Sequence, residues 1–398
     1  MRNQRHLHAV TALRGRDIVC FSNDWGGDPL SKTHLMKILA RENRILWVNS
    51  MGNRRPSATR RDLRRLFAKF RQIARGLTEP WPNIHVLGPA ALPAYGPLAR
   101  ALNRRILRAQ ILAAMRRLGF TRPISWSFLP ASAPVSGTLG EELVVYHCVD
   151  EFSAFTGTPR EIRTLEEQLA RRADLVIVAS EKLLESKSKW NPRIRLVRHG
   201  VDHAHFARAL APETRIPSEL AGLPRPVLGF FGLLADWVDV DLVRAVADAF
   251  PRGSVVLLGD VQTSLAPLAG ARNVHLFGRR PYADLPAWCK GFDVALMPFV
   301  ENELAAASNP LKVREYLAAG LPVVSTPVPE VEQLGLCRIG SGPVAFVAAV
   351  KEALSSPGPS PSRSAAVAGD SWESRVEEIR AAVGDLGLAP EPRWRGVG

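Results

Sequence analysis

The feature that most constrains this chain is an alternation of short apolar runs with helix-like segments, which occurs twice along its length. Strand-like runs of the first series lie at 17–23, 44–50, 142–150, 173–180 and 194–202, with helix-like segments at 31–42 and 160–172. A second series lies between 226 and 326. Strands that alternate with helices indicate parallel sheets covered by helices. The sequence therefore predicts an α/β protein with two doubly wound parallel sheets.

A segment rich in proline and alanine separates the two series and is expected to be a linker. The predicted organisation is an N-terminal Rossmann-like domain over 1–205, a linker over 206–224, a C-terminal Rossmann-like domain over 225–355, a flexible connector over 356–370, a final helix over 371–385 and a disordered tail over 386–398. Ligands of doubly wound sheets bind outside the carboxyl ends of the strands. The cleft between the two domains is therefore the expected site.

Composition is ordinary for a globular protein, with 46% hydrophobic and 23% charged residues among 398. The four cysteines are far apart and form no CxxC pair, which argues against a zinc site or a disulfide framework and favours a reducing compartment. No apolar run approaches the roughly 18 residues of a membrane span, and the N-terminus lacks a secretory signal. We expect a cytoplasmic protein.

Positive charge is concentrated in the first half of the chain. Residues 1–200 hold 34 Lys+Arg and 16 Asp+Glu, a net of +18, against a total of +14. The stretches 54–75 and 100–120 are basic and carry apolar residues at helical spacing. Two interpretations stay open, solvated arginines or docking on the anionic inner face of the plasma membrane. Nucleic acid is not expected as a partner, because no recognition motif accompanies the charge.

The stretch "SNPLKVREYLAAGLPVVST" (308–326) reads as a short helix followed by a buried strand. Asn309 suits a helix N-cap, Pro310 the first helical position and Gly320 the left-handed residue after the helix. The free N–H groups of a helix start favour an anion. Lys312 and Glu315 share one face of this helix. The stretch predicts a phosphate at the helix start and a hydroxyl-rich group beside Glu315, the alternative being an ordinary surface ion pair.

Several separated stretches together resemble one family. They are "FSNDWGG", "VVYHCVDEFSAF", "ADLVIVAS", "HGVDHAHF", "FFGLLADWVDVDL", "FGRRPYADLPAW", "FDVALMPF" and "SNPLKVREYLAAGLPVVS". In order and spacing they resemble the nucleotide-sugar-dependent retaining glycosyltransferases of the two-domain GT-B fold, family 4, in the branch that makes bacterial cell-surface polysaccharides. The resemblance runs from about residue 17 to residue 335.

The resemblance implies an enzyme that moves a hexosyl or related residue from a nucleoside-diphosphate sugar to a hydroxyl of a glycan or lipid-linked acceptor, with retention of the anomeric configuration. The nucleotide sugar is then a co-substrate, and neither a metal nor another cofactor is expected. Two alternatives stay open, a nucleotide-sugar epimerase on the same fold and a protein that binds nucleotide sugars without catalysis.

The resemblance also assigns roles at the donor side of the cleft. Glu315 would accept hydrogen bonds from the two ribose hydroxyls, and Lys312 would offset phosphate charge. Ser308 and Asn309 would approach the phosphates or the transferred sugar. Gly232 and Arg279 belong to the loops that would face the diphosphate and the base.

In the N-terminal domain, "YHCVDEF" follows a strand and so faces the cleft. Asp150 is the first candidate for contact with the reacting sugar or acceptor hydroxyl, and His147 is the second, the alternative for His147 being a mid-strand side chain that points into the core. Asn23, Gly26 and Gly27 match the glycine-containing loop that meets the acceptor and the donor phosphate. His199 stands where relatives usually have asparagine and is expected as a turn element near the cleft.

Two departures from the family pattern concern charge. Ala307 stands eight residues before Glu315, where relatives usually have a second glutamate. Asp236 and Asp239 follow Gly232, where many relatives carry arginine and lysine; an N-cap for the next helix is the alternative role for these aspartates. Lys312 is therefore the main cation expected in the C-terminal domain, joined by Arg279 or Arg280.

Overall fold

A computed structural model describes residues 13–50, 76–90 and 97–387 of the chain. The basic stretch 54–75 lies outside the described residues, as do residues 388–398 of the predicted tail. The described part folds into two sheets, of eight and six strands, which confirms the predicted α/β class with two doubly wound parallel sheets.

The first sheet has the order β3-β4-β2-β1-β5-β6-β7-β8 and is parallel except for the β3–β4 pair. Its strands are β1 (Asp17–Phe21), β2 (Arg44–Val48), β3 (Leu77–Trp81), β4 (Ile84–Leu87), β5 (Ile124–Ser127), β6 (Leu143–Cys148), β7 (Leu175–Val178) and β8 (Ile194–Leu196). The central strands are buried on both faces, as expected of parallel strands covered by helices.

The second sheet has the order β11-β10-β9-β12-β13-β14 and is entirely parallel. Its strands are β9 (Val227–Phe231), β10 (Ser254–Leu258), β11 (Val274–Leu276), β12 (Val294–Met297), β13 (Val323–Ser325) and β14 (Arg338–Ile339). The strand order reverses between β9 and β12, which places the expected ligand crevice at their carboxyl ends.

Helices cover both sheets. They are α1 (Ser31–Leu39), α2 (Pro97–Leu118), α3 (Glu161–Arg172), α4 (Glu181–Lys187), α5 (His203–Phe206), α6 (Ser218–Ala221), α7 (Val240–Ala249), α8 (Leu285–Lys290), α9 (Glu303–Ala307), α10 (Leu311–Ala318), α11 (Pro329–Leu334), α12 (Gly342–Ala353), α13 (Pro361–Ala365) and α14 (Trp372–Gly384). The predicted linker contains α6, and the predicted flexible connector contains α13, whose Arg363 donates a hydrogen bond to the carbonyl of Gly320.

The chain crosses between the two sheets a second time near its C-terminal end. Helix α14 packs into the core of the first sheet, and Trp372, Val376 and Ile379 are buried there beside α1. The two crossings lie side by side, because the Val201 amide donates to the Asp370 carbonyl at 2.8 Å. A Cβ on Gly200 would lie 2.9 Å from the Ser371 carbonyl carbon, so the close approach of the two crossings requires glycine.

Helix α2 covers most of the second basic stretch (100–120), and the apolar face of this helix packs against the first sheet. Leu107, Ile111 and Met115 are buried against β1 and β2. The predicted amphipathic helix is therefore correct, but its apolar side is not available to a membrane. Arg104, Arg105 and other basic side chains of α2 point to solvent.

A membrane-crossing helix was sought among the described residues. None of their helices is both long enough and apolar enough to cross a bilayer.

Candidate active site

Helix α10 begins at the cleft, but its start differs in detail from the prediction. Pro310 occupies the N-cap position and Leu311 is the first helical residue, so Asn309 is not the cap. Gly320 has φ 82° just past the helix, as predicted. The Asn309 side chain accepts a hydrogen bond from Arg314 at 2.7 Å and donates one to the Ala179 carbonyl at 2.7 Å. Any donor contact at position 309 would therefore come from its backbone.

Lys312 lies across the backbone of Gly232 at the end of β9. A Cβ placed on Gly232 would be 1.9 Å from Lys312 Cε, so only glycine leaves room for this path. Gly232 also has φ 138°, a conformation that other residues rarely adopt. Lys312 makes no hydrogen bond or ion pair to the residues described. Gly232 and Lys312 thus meet in the C-terminal domain, where the sequence placed both beside the donor.

Glu315 lies one turn further along α10 and faces the cleft with Lys312. Burial raises the pKa of the Glu315 carboxyl to about 7, and the Asp28 and Asp202 carboxylates act in the same direction. Lys312 opposes this rise. The carboxyl accepts no hydrogen bond from the described residues, so both of its oxygens are available to a ligand.

Asp150 follows β6 at the opposite side of the cleft. Burial raises the pKa of its carboxyl to about 6, while Lys32 and Lys312 hold it down. Because Lys312 acts on both Asp150 and Glu315, the cleft brings together an acid from the N-terminal domain and a cation and an acid from α10. The two domains therefore share one charged site.

His147 and His199 are buried beside this site. The His147 ring lies in β6, stacks on Phe128 at 4.9 Å between centroids and has an unpartnered Nδ1. His199 Nδ1 lies 2.7 Å from the Asn309 carbonyl, so it carries the proton and donates, which makes Nε2 an acceptor. That Nε2 is also unpartnered. Burial lowers the pKa of His147 to about 3 and that of His199 to about 4, so both rings are neutral near pH 7.

The glycine-containing loop after β1 lies at the cleft mouth. Gly26 and Gly27 are exposed, with open space around each, and the carbonyl of the exposed Asn23 accepts a hydrogen bond from Trp47 at 2.9 Å. Asp28 in the same loop pairs with Arg279 of the C-terminal domain, with Nη2–Oδ1 at 2.8 Å. Arg279 therefore bridges the two domains.

The structure shows the surroundings of Ala307 and of the aspartates after Gly232, where the chain departs from the family pattern. Ala307 is buried in the core beside β6 and β7, and its carbonyl accepts a hydrogen bond from Ser180 at 2.6 Å. Ser308 Oγ donates to the Ala305 carbonyl at 2.8 Å. Asp239 caps α7 by accepting from the Leu242 amide at 2.8 Å, which confirms its alternative role, whereas Asp236 is exposed and is not the N-cap, so that role is wrong for Asp236.

Lys32, in the first turn of α1, is a site residue that the sequence analysis missed. Only 8% of Lys32 is exposed, and it makes no hydrogen bond or ion pair to the residues described. Its ammonium interacts electrostatically with Asp150. A lysine five residues after Gly27, in the first turn of a helix, was the signal available in the sequence.

A metal site was sought as well. Among the residues described, no group of three or more His, Cys, Asp or Glu side chains is arranged to hold a metal ion.

Comparison with known proteins matches the C-terminal domain to a family. Residues 225–356 match the family described as "Glycosyl transferases group 1". A curated relative, "Putative teichuronic acid biosynthesis glycosyltransferase TuaH" of Bacillus subtilis (strain 168), is 26% identical over 252 residues, which cover 58% of this chain. The match spans 63% of that relative's own length.

Solved structures share the fold over nearly the whole chain. Sucrose-phosphate synthase from Thermosynechococcus elongatus matches with a TM-score of 0.67 and 15% identity, covering 92% of this chain and 97% of its own. Anabaena HepE in complex with UDP and glucose matches with a TM-score of 0.58 and 15% identity, covering 94% and 96%. A UDP-forming trehalose-phosphate synthase from Burkholderia xenovorans matches with a TM-score of 0.62 and 13% identity, covering 94% and 100%. The predicted GT-B architecture is confirmed.

Proposed function

We propose that this protein is a retaining glycosyltransferase of the family 4 type. It transfers a sugar from a nucleoside-diphosphate sugar to a hydroxyl of a glycan or lipid-linked acceptor in cell-surface polysaccharide synthesis. The observation that carries the proposal is the shared charged site, where Lys312 and Glu315 of α10 face Asp150 across the cleft. The family match of residues 225–356 and the TuaH relative support the same reaction class.

The donor would lie on α10. Both oxygens of the Glu315 carboxylate can accept hydrogen bonds from ribose hydroxyls, which suits its lack of partners among the described residues. The diphosphate would meet the free amides at the start of α10 and the ammonium of Lys312. UDP is present in the HepE structure, which supports a nucleoside diphosphate as the donor's leaving group.

The transfer would take place beside Asp150. A bond forms between the acceptor oxygen and the anomeric carbon on the face from which the diphosphate leaves, and the acceptor proton passes to that diphosphate. The protein's part is to orient both substrates and to stabilise the departing negative charge. Asp150 would hold the reacting hydroxyl or the transferred sugar in place. We propose that this requires no metal.

The proposal extends to the place where the enzyme works, which is the cytoplasmic face of the membrane. The net charge of +18 over residues 1–200 supports it, as do the solvent-facing arginines of α2. A lipid-linked acceptor would then meet the acceptor domain at the bilayer surface.

The test is a donor screen with purified protein, using UDP-, GDP- and dTDP-sugars together with a crude polyprenyl-linked acceptor fraction. Nucleoside diphosphate release is measured with and without EDTA, and the anomeric configuration of the product is read by NMR. The proposal predicts acceptor-dependent release that EDTA does not abolish and a product with the donor's configuration. Interconversion of the nucleotide sugar without an acceptor, or donor binding without release, would contradict it.

A further inference from the structure

The cleft contains a buried cation for which the fold provides no partner. Lys32 is 8% exposed, although lysine is rarely buried unless it is paired. Within the described residues, its ammonium takes part in no hydrogen bond or ion pair. Its Nζ is not among the fully buried unpartnered atoms, so the stem of the side chain is buried while the ammonium still reaches the cleft. Such a lysine raises the question of what it binds.

Lys187 shows how the same protein treats a buried lysine that has a structural purpose. Its ammonium lies 2.8 Å from Glu151 Oε2 and 3.0 Å from Glu166 Oε1, and its side chain is 2% exposed. Two carboxylates therefore neutralise it inside the fold. Lys32 has no such pair, and Asp150, with which it interacts electrostatically, faces the cleft.

The surroundings of Lys32 also contain unused hydrogen-bonding atoms. His147 Nδ1 and His199 Nε2 are buried without partners, and both rings interact electrostatically with Lys32. A buried polar atom left unpartnered costs about 1–3 kcal/mol, so native proteins rarely keep several together without a use. The Lys32 ammonium suits an anionic group, whereas His199 Nε2, as an acceptor, suits a hydroxyl of the same ligand.

The charges of the C-terminal domain also favour an anionic ligand beside Lys32. Asp236 is exposed and Asp239 caps α7, so neither supplies a cation after Gly232, and Arg279 pairs with Asp28. Lys312 is thus the cation that α10 itself offers to a phosphate. A second cation from the opposite domain would complete the neutralisation of a doubly charged group.

We propose that Lys32 binds a phosphate group of the bound substrates, so that each domain presents one lysine to the anion in the cleft. This inference rests on the proposed function. The phosphate has two possible sources, the diphosphate of the donor and a phosphate of a lipid-linked acceptor. In either case, the first turn of α1 contacts a substrate in addition to supporting the fold of the N-terminal domain.

Calorimetric titration of Lys32→Met and Lys32→Arg tests the proposal. The ligands are UDP, GDP and ADP, the matching nucleosides and farnesyl phosphate, and Lys351→Met on the exposed face of α12 serves as the matched control. We expect Lys32→Met to weaken phosphate binding about tenfold or more and to leave nucleoside binding unchanged, because a charge-assisted hydrogen bond is lost. Lys32→Arg should keep most of the affinity, and Lys351→Met should match the wild type.

The two sources give different patterns. Loss of nucleoside diphosphate affinity assigns the phosphate to the donor, and loss of farnesyl phosphate affinity alone assigns it to the acceptor. The proposal is overturned if Lys32→Met keeps, within twofold, all the phosphate binding of the wild type. Failure of the wild type to bind any nucleoside diphosphate would instead count against the proposed function.

A purely structural Lys32 makes opposite predictions. If it served only as the counter-ion of Asp150, Lys32→Met would shift the acid limb of the pH–rate profile and leave phosphate affinity intact, which would overturn the proposal. Thermal unfolding gives an independent readout. We expect the melting temperature of Lys32→Met to be no lower than that of the wild type, because the change removes no hydrogen bond or ion pair to the described residues. A clear drop would indicate a structural role and would also overturn the proposal.

Discussion

The chemical role of each residue at the cleft depends on its immediate neighbours in the structure. Gly232 matters because the side chain of Lys312 passes over its α-carbon, and Glu315 matters because its half-buried carboxyl has no partner among the described residues. The sequence indicated Glu315 through its position on a helix and Gly232 through the resemblance to the glycosyltransferases. It could not show that the lysine crosses the glycine, since that contact joins residues 80 positions apart.

The first prediction concerns this crossing. Gly232→Ala should displace Lys312 from the cleft, because the added Cβ would lie 1.9 Å from Cε, and should weaken nucleoside diphosphate binding about tenfold. Calorimetric titration measures the change, with Gly222→Ala, where a Cβ meets open space, as the control. In a Lys312→Met background, Gly232→Ala should cost less affinity than it does in the wild type, the remaining loss being the strain of an alanine at φ 138°. Additive losses in the double variant would refute the idea that the glycine acts through the lysine.

The second prediction concerns Asp150 and pH. Asp150→Asn should lower kcat by far more than it changes donor affinity, because the contact is proposed for the transition state. The raised pKa of about 6 means that the wild-type carboxylate becomes protonated as the pH falls through 6, so kcat should fall on that acid limb. Steady-state rates between pH 5 and 8 measure both effects. A kcat for Asp150→Asn within about threefold of the wild type, or ~0.65 kcal/mol, would remove Asp150 from the reaction.

At the scale of elements, the sequence pattern predicted most strands and helices of the two sheets. Strands β1, β2, β6, β7 and β9 lie within the runs expected from their apolar, β-branched residues. Strands β4 and β14 were not predicted, and neither were β3 and β5, because "LTEPW" contains a proline and "ISWS" mixes serine with apolar residues. Their strand character comes from pairing with β4, β1 and β6, a tertiary effect that no local pattern contains.

The candidate site was also predicted only in part, because some of its features depend on tertiary contacts that no local pattern contains. Lys312, Glu315 and Asp150 follow from motifs at a helix start and a strand end. Lys32 does not, because its importance lies in being buried without a partner, and burial of a lysine in the first turn of a helix cannot be read from local spacing. Asn309 was predicted as the N-cap of α10, but Pro310 takes that position, and the Asn309 side chain instead bonds to Arg314 of the same helix and to the distant Ala179.

The third prediction concerns the buried ion network that links α4, α3 and the turn after β6. Lys187→Met should lower the free energy of unfolding by about 3–5 kcal/mol, because Glu151 and Glu166 would be left buried without their counter-ion. Urea denaturation followed by circular dichroism measures the change. Lys182→Met on the exposed face of α4 is the control and should cost little. A loss below about 1 kcal/mol would mean that the network does not stabilise this region.

At the scale of the whole molecule, the two halves of the chain differ in net charge. Residues 1–200 carry +18 and the remainder −4 by the same count. The domains are joined by the two neighbouring crossings at Val201 and Asp370 and by the Arg279–Asp28 pair across the cleft. The excess charge therefore belongs to the side proposed to receive the acceptor.

The fourth prediction follows from this asymmetry. Replacing Arg60, Arg61, Arg64 and Arg65 with glutamine should reduce binding to anionic vesicles and spare nucleotide binding, since each basic residue near such a surface contributes about 1 kcal/mol. Co-sedimentation with anionic and neutral vesicles at low and high salt measures the effect, and binding should weaken as salt increases.

The control for the vesicle experiment removes the same charge from the linker and the C-terminal domain. It replaces four exposed arginines with glutamine, namely Arg208, Arg215, Arg252 and Arg272. This variant should bind anionic vesicles almost as the wild type does. Equal binding of the wild type to neutral and anionic vesicles, or no binding to either, would leave the arginines as solvated surface.

The central claim is that α10 holds a nucleoside diphosphate through Glu315. Calorimetric titration of wild type and Glu315→Ala with UDP, GDP and ADP tests it most directly, at pH 8, where the carboxyl with its pKa of about 7 is ionised. The account predicts that the wild type binds at least one of the three and that Glu315→Ala loses roughly 1.5–3 kcal/mol while remaining folded. Unchanged affinity of Glu315→Ala for every diphosphate tested would contradict it.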